Sequence, residues 1–429
     1  MSAVVEVPQP WRRNATLFLA GQTVSLFGSM VVQYAVMWYV TLQTGSGLAV
    51  ALYAVAAFLP QGVISIFGGT FADRVNRRLL VIAADSATAI ATLGLAILMM
   101  QGVTALWVIL VAVAIRSVGA GFQQPTVQAM IPQIVPGDEL MRINGVFQTI
   151  QSGLALVAPA AAGAVYGLMG IVPVFFIDVV TALIGVGMLA LVRVPTLQAV
   201  ADKTTGFRQD LVEGARFLAG HRLIRWLMIV FAAGFFLTGA PSFVTPLLVT
   251  REWGGEVWML TVLELAFSVG MLAGGVLVAT VLAKRNPIAL VIVSAFGFGA
   301  LSVALGLAPS LWLFYAFMFG FGLMVPLFSA PLMTSLQEGV PMEMQGRVFS
   351  YVTIVMALSV PVAMTAFGPI ADAAGVRPLL VGAGAAYLLF MVVATAVPSG
   401  RAALRSAGDR AAAERDGTPE PVAAEPEAG

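Results

Sequence analysis

Four ionisable side chains stand inside long, otherwise uncharged apolar stretches of this chain: Asp85, Arg116, Asp178 and Glu264. A charge placed in hydrocarbon is expensive, and such residues face an aqueous cavity or a partner, as members of proton relays, ion pairs or substrate contacts. Polar stripes accompany them at spacings of three and four: Gln22, Ser25, Ser29 and Gln33; Asn144, Gln148 and Gln151; Thr238, Ser242 and Thr245; and Thr261 and Ser268 flanking Glu264. That spacing puts each stripe on one helix face, and in lipid such a face turns toward protein or water. Each stripe serves either packing or a cavity, and the first is the one expected to line a cavity.

Other chemistries lack their residues. No Gly-Lys-Ser/Thr phosphate loop is present, so ATP is not the energy source. No group of His, Cys or carboxylates has metal-ligand spacing and no nucleophile has a plausible base, so neither a metal, a cofactor nor an enzymatic centre is expected. There are no cysteines to form disulfides. The one histidine, His221, lies in a charged segment and reads as a solvated residue. A net charge of +1 over 429 residues excludes a nucleic-acid-binding surface.

The elements that hold these residues follow from composition. Hydrophobic residues make up 59% of the chain and charged residues only 10%, with a mean hydropathy of +0.95. A soluble domain carries roughly a quarter charged residues, so the partner of this surface is a lipid bilayer. Apolar runs bounded by Gly, Pro and charge fall at about 14–42, 47–71, 79–101, 104–124, 142–168 and 171–193, then at about 222–249, 256–283, 287–308, 311–335, 346–371 and 376–398. The pattern predicts an all-α membrane protein of twelve transmembrane helices. The first run is too long and too polar for a cleavable signal sequence and is expected to remain as a helix.

Charge distribution tests the count. With both termini in the cytoplasm, of 22 basic residues only Arg251 and Arg377 fall on the outer side and Arg116 within a run; the rest collect inside, as the positive-inside rule requires. Dropping one helix would scramble that pattern. The two sets of six look related. Gly170-Ile-Val-Pro173 and Gly375-Val-Arg-Pro378 lie 205 residues apart, as do Gly163 and Gly368, and Pro125 and Pro331 are each followed by a Val-Pro ten or eleven positions on. The reading is a duplicated six-helix unit: a cytoplasmic N-terminus (1–13), a first bundle (14–194), a connecting loop (195–221), a second bundle (222–398) and a disordered cytoplasmic tail (399–429). Within the loop, Phe207, Leu211, Phe217 and Leu218 predict an amphipathic surface helix that tethers the halves.

Between the second and third runs the chain reads Gly68-Gly-Thr-Phe-Ala-Asp-Arg-Val-Asn-Arg-Arg78. This resembles the signature loop of the major facilitator superfamily, and the resemblance covers roughly residues 14–398. It implies two pseudo-symmetric six-helix halves working by alternating access, with Gly69, Asp73, Arg74, Arg77 and Arg78 forming a cytoplasmic latch. Physically, the glycines allow close helix approach and Asp73 suits a helix N-terminus; the plain alternative is a topology anchor. Lys284-Arg285 is a remnant of the loop in the second half. Gly21-Gln-Thr-Val-Ser-Leu-Phe-Gly28, Asp73-Arg74, Asp85, and Pro125 followed by Ile131-Pro132 further resemble the macrolide-efflux-type branch of bacterial drug-proton antiporters.

That resemblance implies export of a hydrophobic or weakly cationic small molecule in exchange for protons, by a monomer in the bacterial inner membrane. Arg116 then matches an antiporter arginine, although Ala120 stands where the pattern has glycine; alternatively it pairs with Asp85. Helix 8 lines the cavity in this family, which makes Glu264 the first candidate for proton coupling, followed by Asp178, Arg116 and Asp85. Ser152 to Gly163 is close to the helix 5 proline-glycine pattern of exporters, with alanine in place of glycine before Pro159. The cavity candidates are Gln22, Ser25, Ser29, Gln33, Gln148, Gln151, Thr261 and Ser268. Two rivals remain: a carrier of a specific metabolite such as a siderophore, sugar or amino acid, and a non-transporting membrane sensor or scaffold.

Overall fold

Long, predominantly apolar runs satisfy their backbone as helices in lipid, and helices are what a computed structural model of the chain shows. It describes residues 10–72, 75–194, 207–239, 243–398 and 400–402. Six helices come first: α1 (Trp11–Thr44), α2 (Gly47–Ala72), α3 (Arg77–Met100), α4 (Leu106–Ile134), α5 (Leu140–Met169) and α6 (Ile171–Leu191). The amphipathic α7 (Phe207–Gly220) follows, then α8 (Arg222–Gly234), α9 (Thr245–Trp253), α10 (Val257–Thr280), α11 (Pro287–Leu307), α12 (Leu311–Gly339), α13 (Met342–Ala373) and α14 (Val376–Ala396). No strand occurs among the described residues.

Helix ends follow local chemistry. The Asn76 side chain caps α3 by accepting from Leu79 N–H, and Asn286 caps α11 by accepting from Ile288 and Ala289 N–H, so the third span of each half starts on the same device. Gly170 and Gly375, the sequence-matched pair, take φ of +84° and +92° at the α5–α6 and α13–α14 junctions. An L-residue would be strained there.

The seventh span differs from the single helix expected over 222–249. A π-helical turn, Phe235–Gly239, ends α8, and the chain resumes as α9 at Thr245. The two pieces still cross the whole bundle. At one end Trp226 Nε1 donates to the Ala394 carbonyl at 2.7 Å; at the other, Arg251 Nη2 donates to the Gly45 carbonyl at 2.8 Å. Counting α8 and α9 as one crossing gives twelve spans among the described residues, with the start of α1 and the end of α14 on one face, termed basal; the α1–α2 connection marks the distal face. The axis turns by 110° between α7 and α8. Phe217 and Leu218 of α7 pack on the apolar core, and Glu213 pairs with Arg347 of α13 at 2.8 Å.

Packing repeats between the halves. In the first, α1 packs on α5 and α6, α2 on α4, and α3 on α4 and α6; in the second, α10 packs on α12, α11 on α12 and α14, and the α8 segment on α13 and α14. The groups meet through α2 against α13 and α5 against α10. The matched glycines sit in these two seams. A Cβ on Gly163 would come within 2.0 Å of Thr261 Oγ1, and one on Gly368 within 2.4 Å of the Ala51 Cβ. Small residues here let the backbones approach.

Several prolines lie inside helices, where each strips a partner from the carbonyl four residues earlier. The fourth run, expected to stop near 124, therefore continues past Pro125 and Pro132 to Ile134. At three of these prolines a neighbouring serine supplies the missing donor, which lipid does not. Ser65 Oγ donates to Gly121 O at 3.4 Å, behind Pro125. Ser294 donates to Leu327 O at 3.3 Å, behind Pro331. Ser268 donates to Ala155 O at 3.2 Å, behind Pro159. Near Pro60, the Ser117 hydroxyl bridges the Gln61 N–H at 2.9 Å and the Ala57 carbonyl at 2.7 Å.

Candidate functional site

The first half holds a buried ion pair. Arg116 of α4 donates from Nη1 to Asp178 Oδ2 of α6, with the Arg116 and Asp178 side chains 12% and 1% exposed. Ser29 of α1 donates to the other carboxylate oxygen at 3.1 Å, and Thr92 of α3 donates to Oδ2 at 2.9 Å. Arg116 Nη2 also reaches the Ser29 carbonyl at 3.3 Å. Four helices thus converge on one carboxylate, and each of its oxygens has a partner. Close approach makes this possible: a Cβ on Gly28 would lie 3.0 Å from the Asp178 Cα.

Beside the pair lies a cavity of about 250 Å³ whose lining comes from α1 to α5. Its polar wall is mostly uncharged amide: Gln22, Gln33, Gln61, Gln123, Gln124, Gln128 and Gln151, with Ser29, Ser117 and Thr88. Its apolar wall includes Leu26, Met30, Val36, Val113, Tyr53 and Phe147. Two charged side chains line it, Arg116 and Asp85. Asp85 is 5% exposed. Its Oδ1 accepts from Gln123 Nε2 at 2.6 Å, its Oδ2 is buried without a hydrogen bond of normal geometry, and the Ser25 hydroxyl lies close to the carboxylate. Gln22 is 1% exposed, and both of its amide atoms are likewise without partners. An amide-lined apolar chamber with one half-satisfied carboxylate suits a largely apolar molecule bearing a few hydrogen-bonding groups.

The sequence profile of the Major Facilitator Superfamily matches residues 18–364. The chain belongs to this superfamily. Macrolide efflux protein A of Streptococcus pyogenes is 29% identical to this transporter over 386 residues, covering 89% of this chain and 95% of the relative. The multidrug efflux pump Tap of Mycolicibacterium fortuitum is 24% identical over 386 residues, covering 86% and 92%. Among solved structures, a bacterial homologue of the human lysosomal transporter Spinster superposes with a TM-score of 0.69 at 14% identity, covering 94% of this chain and 99% of that one. A bacterial homologue of the iron transporter ferroportin gives 0.69 at 15% identity, covering 91% and 100%. The residues above are therefore those of a facilitator-type transporter and not of an enzyme.

In this transporter the sequence candidates separate. Gln22, Ser29, Gln33 and Gln151 line the cavity with Asp85 and Arg116. Ser25 is buried where a Cβ on Gly185 would come within 2.9 Å of it. Gln148 is exposed. Thr261 packs on Gly163 and donates to its own helix at Val257 O, 2.9 Å away; Ser268 serves the Ala155 carbonyl. Both belong to the α5–α10 seam and not to the cavity, because prolines and glycines there call for small hydroxyl side chains.

Arg116 pairs with Asp178 rather than with Asp85, because α3 turns Thr92 toward Arg116 while Asp85 faces Gln123. Glu264 of α10 is partly buried and lies within electrostatic reach of Tyr34 on α1. Asp73 and Arg74 of the loop, Ser242, and the tail beyond residue 402 lie outside the described residues. Arg77 Nη1 donates to Ala129 O at 2.8 Å and Arg78 donates to Ala190 O. Arg78 covers the carbonyl end of α6, which the helix dipole favours, and Arg77 ties the start of α3 to α4. His221 is exposed and stacks on Phe217 at 3.8 Å.

Gln61, Gln123, Gln124, Gln128 and Thr92 escaped sequence reading. Amides inside apolar runs were the available signal, but without a stripe at regular spacing they did not stand out. The superfamily's arginine pattern also departs here for a visible reason. A Cβ on Gly119 would come within 2.5 Å of Thr88 Oγ1, and one on Gly121 within 2.7 Å of the Ile64 Cβ, so glycine is needed at 119 and 121. Ala120, between them, faces the cavity.

Proposed function

We propose that the protein is a proton-driven exporter of hydrophobic, weakly cationic small molecules, moving them by alternating access with its basal face in the cytoplasm. The observation that carries this reading is the contrast between two buried acids of the first half. Asp178 is held by Arg116, Ser29 and Thr92, whereas Asp85 lines the amide-lined cavity without a cationic partner and keeps one buried oxygen without a hydrogen bond. A carboxyl with a free oxygen exchanges a proton, or meets a cationic group, without dismantling an ion pair. Glu264, partly buried on α10 within electrostatic reach of Tyr34, is the second candidate.

The basal face is assigned to the cytoplasm on the distribution of arginine and lysine. The relatives' names, macrolide efflux protein and multidrug efflux pump, support export. The structural neighbours described as inward-facing support a basal-open state for the present conformation. In the cycle proposed, proton uptake on Asp85 or Glu264 favours return toward the cytoplasm, and substrate binding there displaces the proton.

The test is ethidium accumulation in cells expressing the protein, with and without a protonophore. Lower accumulation that the protonophore abolishes is expected. Accumulation equal to that of empty-vector cells, for ethidium and for a panel of macrolides, would sink the export reading.

A further inference from the structure

Arg251 and Arg377 are the two arginines on the face that the positive-inside rule leaves poor in them, so each calls for a local reason. For Arg377 the reason lies within one half. It grips Glu252 through Nε at 2.6 and 2.7 Å and donates from Nη1 to Ala308 O at 2.7 Å. Arg251 reaches across instead. From α9 it donates to Gly45 O, in the α1–α2 connection, through Nε at 3.0 Å and Nη2 at 2.8 Å. It also holds its own half at Ala371 O, 2.8 Å away, and at Asp372 Oδ1, 2.5 Å away.

Asp372 completes the crossing. This carboxylate sits at the distal end of α13, yet it accepts from Gly47 N–H at 2.6 Å and from Leu48 N–H at 2.8 Å, and Ser46 Oγ donates to it at 3.0 Å. The first amides of a helix have no partner within it and lie at the positive end of its dipole. Here α2 of the first half is capped by an acid of the second. The backbones come close enough because both faces are glycine: a Cβ on Gly47 would sit 2.4 Å from the Gly368 carbonyl oxygen.

We infer that Arg251 and Asp372 are gating residues of the transport cycle, a two-residue lock that holds the distal ends of the halves together and has to release whenever the distal side opens. The lock joins groups that must separate in any alternating motion, and each side chain remains about one-third exposed, at 31% and 33%. Water is therefore at hand to take over its hydrogen bonds on opening. This inference concerns the cycle of a facilitator-type transporter and does not depend on the cargo or on proton coupling.

The chain has no cysteine, so spin labels at Val103→Cys and Pro309→Cys, exposed positions on distal connections of opposite halves, report their separation by pulsed electron resonance in the purified full chain. The parent protein is expected to show mainly the short distance. Arg251→Gln and Asp372→Asn are each expected to raise the long-distance fraction several-fold. Leu48→Pro keeps both charges but deletes one N–H that Asp372 accepts, at a helix start where proline is tolerated, and is expected to shift the same way. Arg377→Gln, which breaks the pair within one half, is expected to leave the distribution unchanged. Parent-like distributions in the folded Arg251 and Asp372 variants, or an equal shift with Arg377→Gln, would overturn the inference.

Discussion

Arg116 and Asp178 are bound to each other across α4 and α6, and Ser29 and Thr92 fill the remaining positions on the carboxylate. The pair is enclosed enough that loss of one partner leaves an uncompensated charge. Replacing one member of a buried pair costs about 3–5 kcal/mol, whereas replacing both by apolar residues is often nearly neutral. Asp178→Asn or Arg116→Gln alone is therefore expected to lower the detergent-solubilised melting temperature markedly. Arg116→Leu with Asp178→Leu should recover most of it. Single and double variants melting alike would show that the pair contributes little.

Asp85 carries the opposite expectation. Asp85→Asn keeps an oxygen to accept from Gln123 Nε2, so expression and melting should stay close to the parent, while protonophore-sensitive export falls. The measurement is efflux rate against an imposed pH gradient. An unchanged gradient dependence would remove Asp85 from the coupling scheme and leave Glu264 as its candidate.

For Glu264→Gln, normal expression with loss of proton-driven transport is expected. Tyr34→Phe, which removes the hydroxyl near that carboxyl, should alter the pH dependence of transport without abolishing it. Full proton-driven activity in Glu264→Gln would exclude the residue from coupling.

Ser268 and Pro159 offer a thermodynamic cycle. Ser268→Ala leaves the Ala155 carbonyl without its donor, at a cost of about 1 kcal/mol by the usual worth of one hydrogen bond. In a Pro159→Ala background the restored backbone N–H serves that carbonyl, and Ser268→Ala should cost close to nothing. Equal costs in the two backgrounds would mean that the hydroxyl acts elsewhere.

Much of the architecture was legible in advance because hydrocarbon imposes one simple demand, applied residue by residue. Eleven of the twelve apolar runs became single helices within a few residues of their expected starts, and Phe207, Leu211, Phe217 and Leu218 marked α7 correctly. The structure departs from that pattern where the geometry of a single helix is a poor guide. Pro125 looked like a terminus because proline breaks helices in water; Ser65, on another helix, is what lets α4 run on. The break in the seventh span was missed for the converse reason, since continuous hydropathy conceals a π-turn.

The site divides in the same way. Composition and the run of apolar segments determined twelve spans, since transfer energies add along a chain and need no knowledge of neighbours, and the loop ending at Arg78 carried the resemblance that implied a carrier. Helical spacing also put Gln22, Ser29 and Gln33 on one face of α1, and all three do line the cavity. Which acid Arg116 meets depends on the rotation and tilt of α3, α4 and α6 relative to one another, and those are set by contacts such as Gly28 on Asp178 and Gly119 on Thr88. Only the folded arrangement could select Asp178 as the partner of Arg116, leave an oxygen of Asp85 free, and bring Asp372 from one half onto the helix start of the other. Each of these is a meeting of residues far apart in the chain, decided by packing in three dimensions, which periodicity along one helix does not encode.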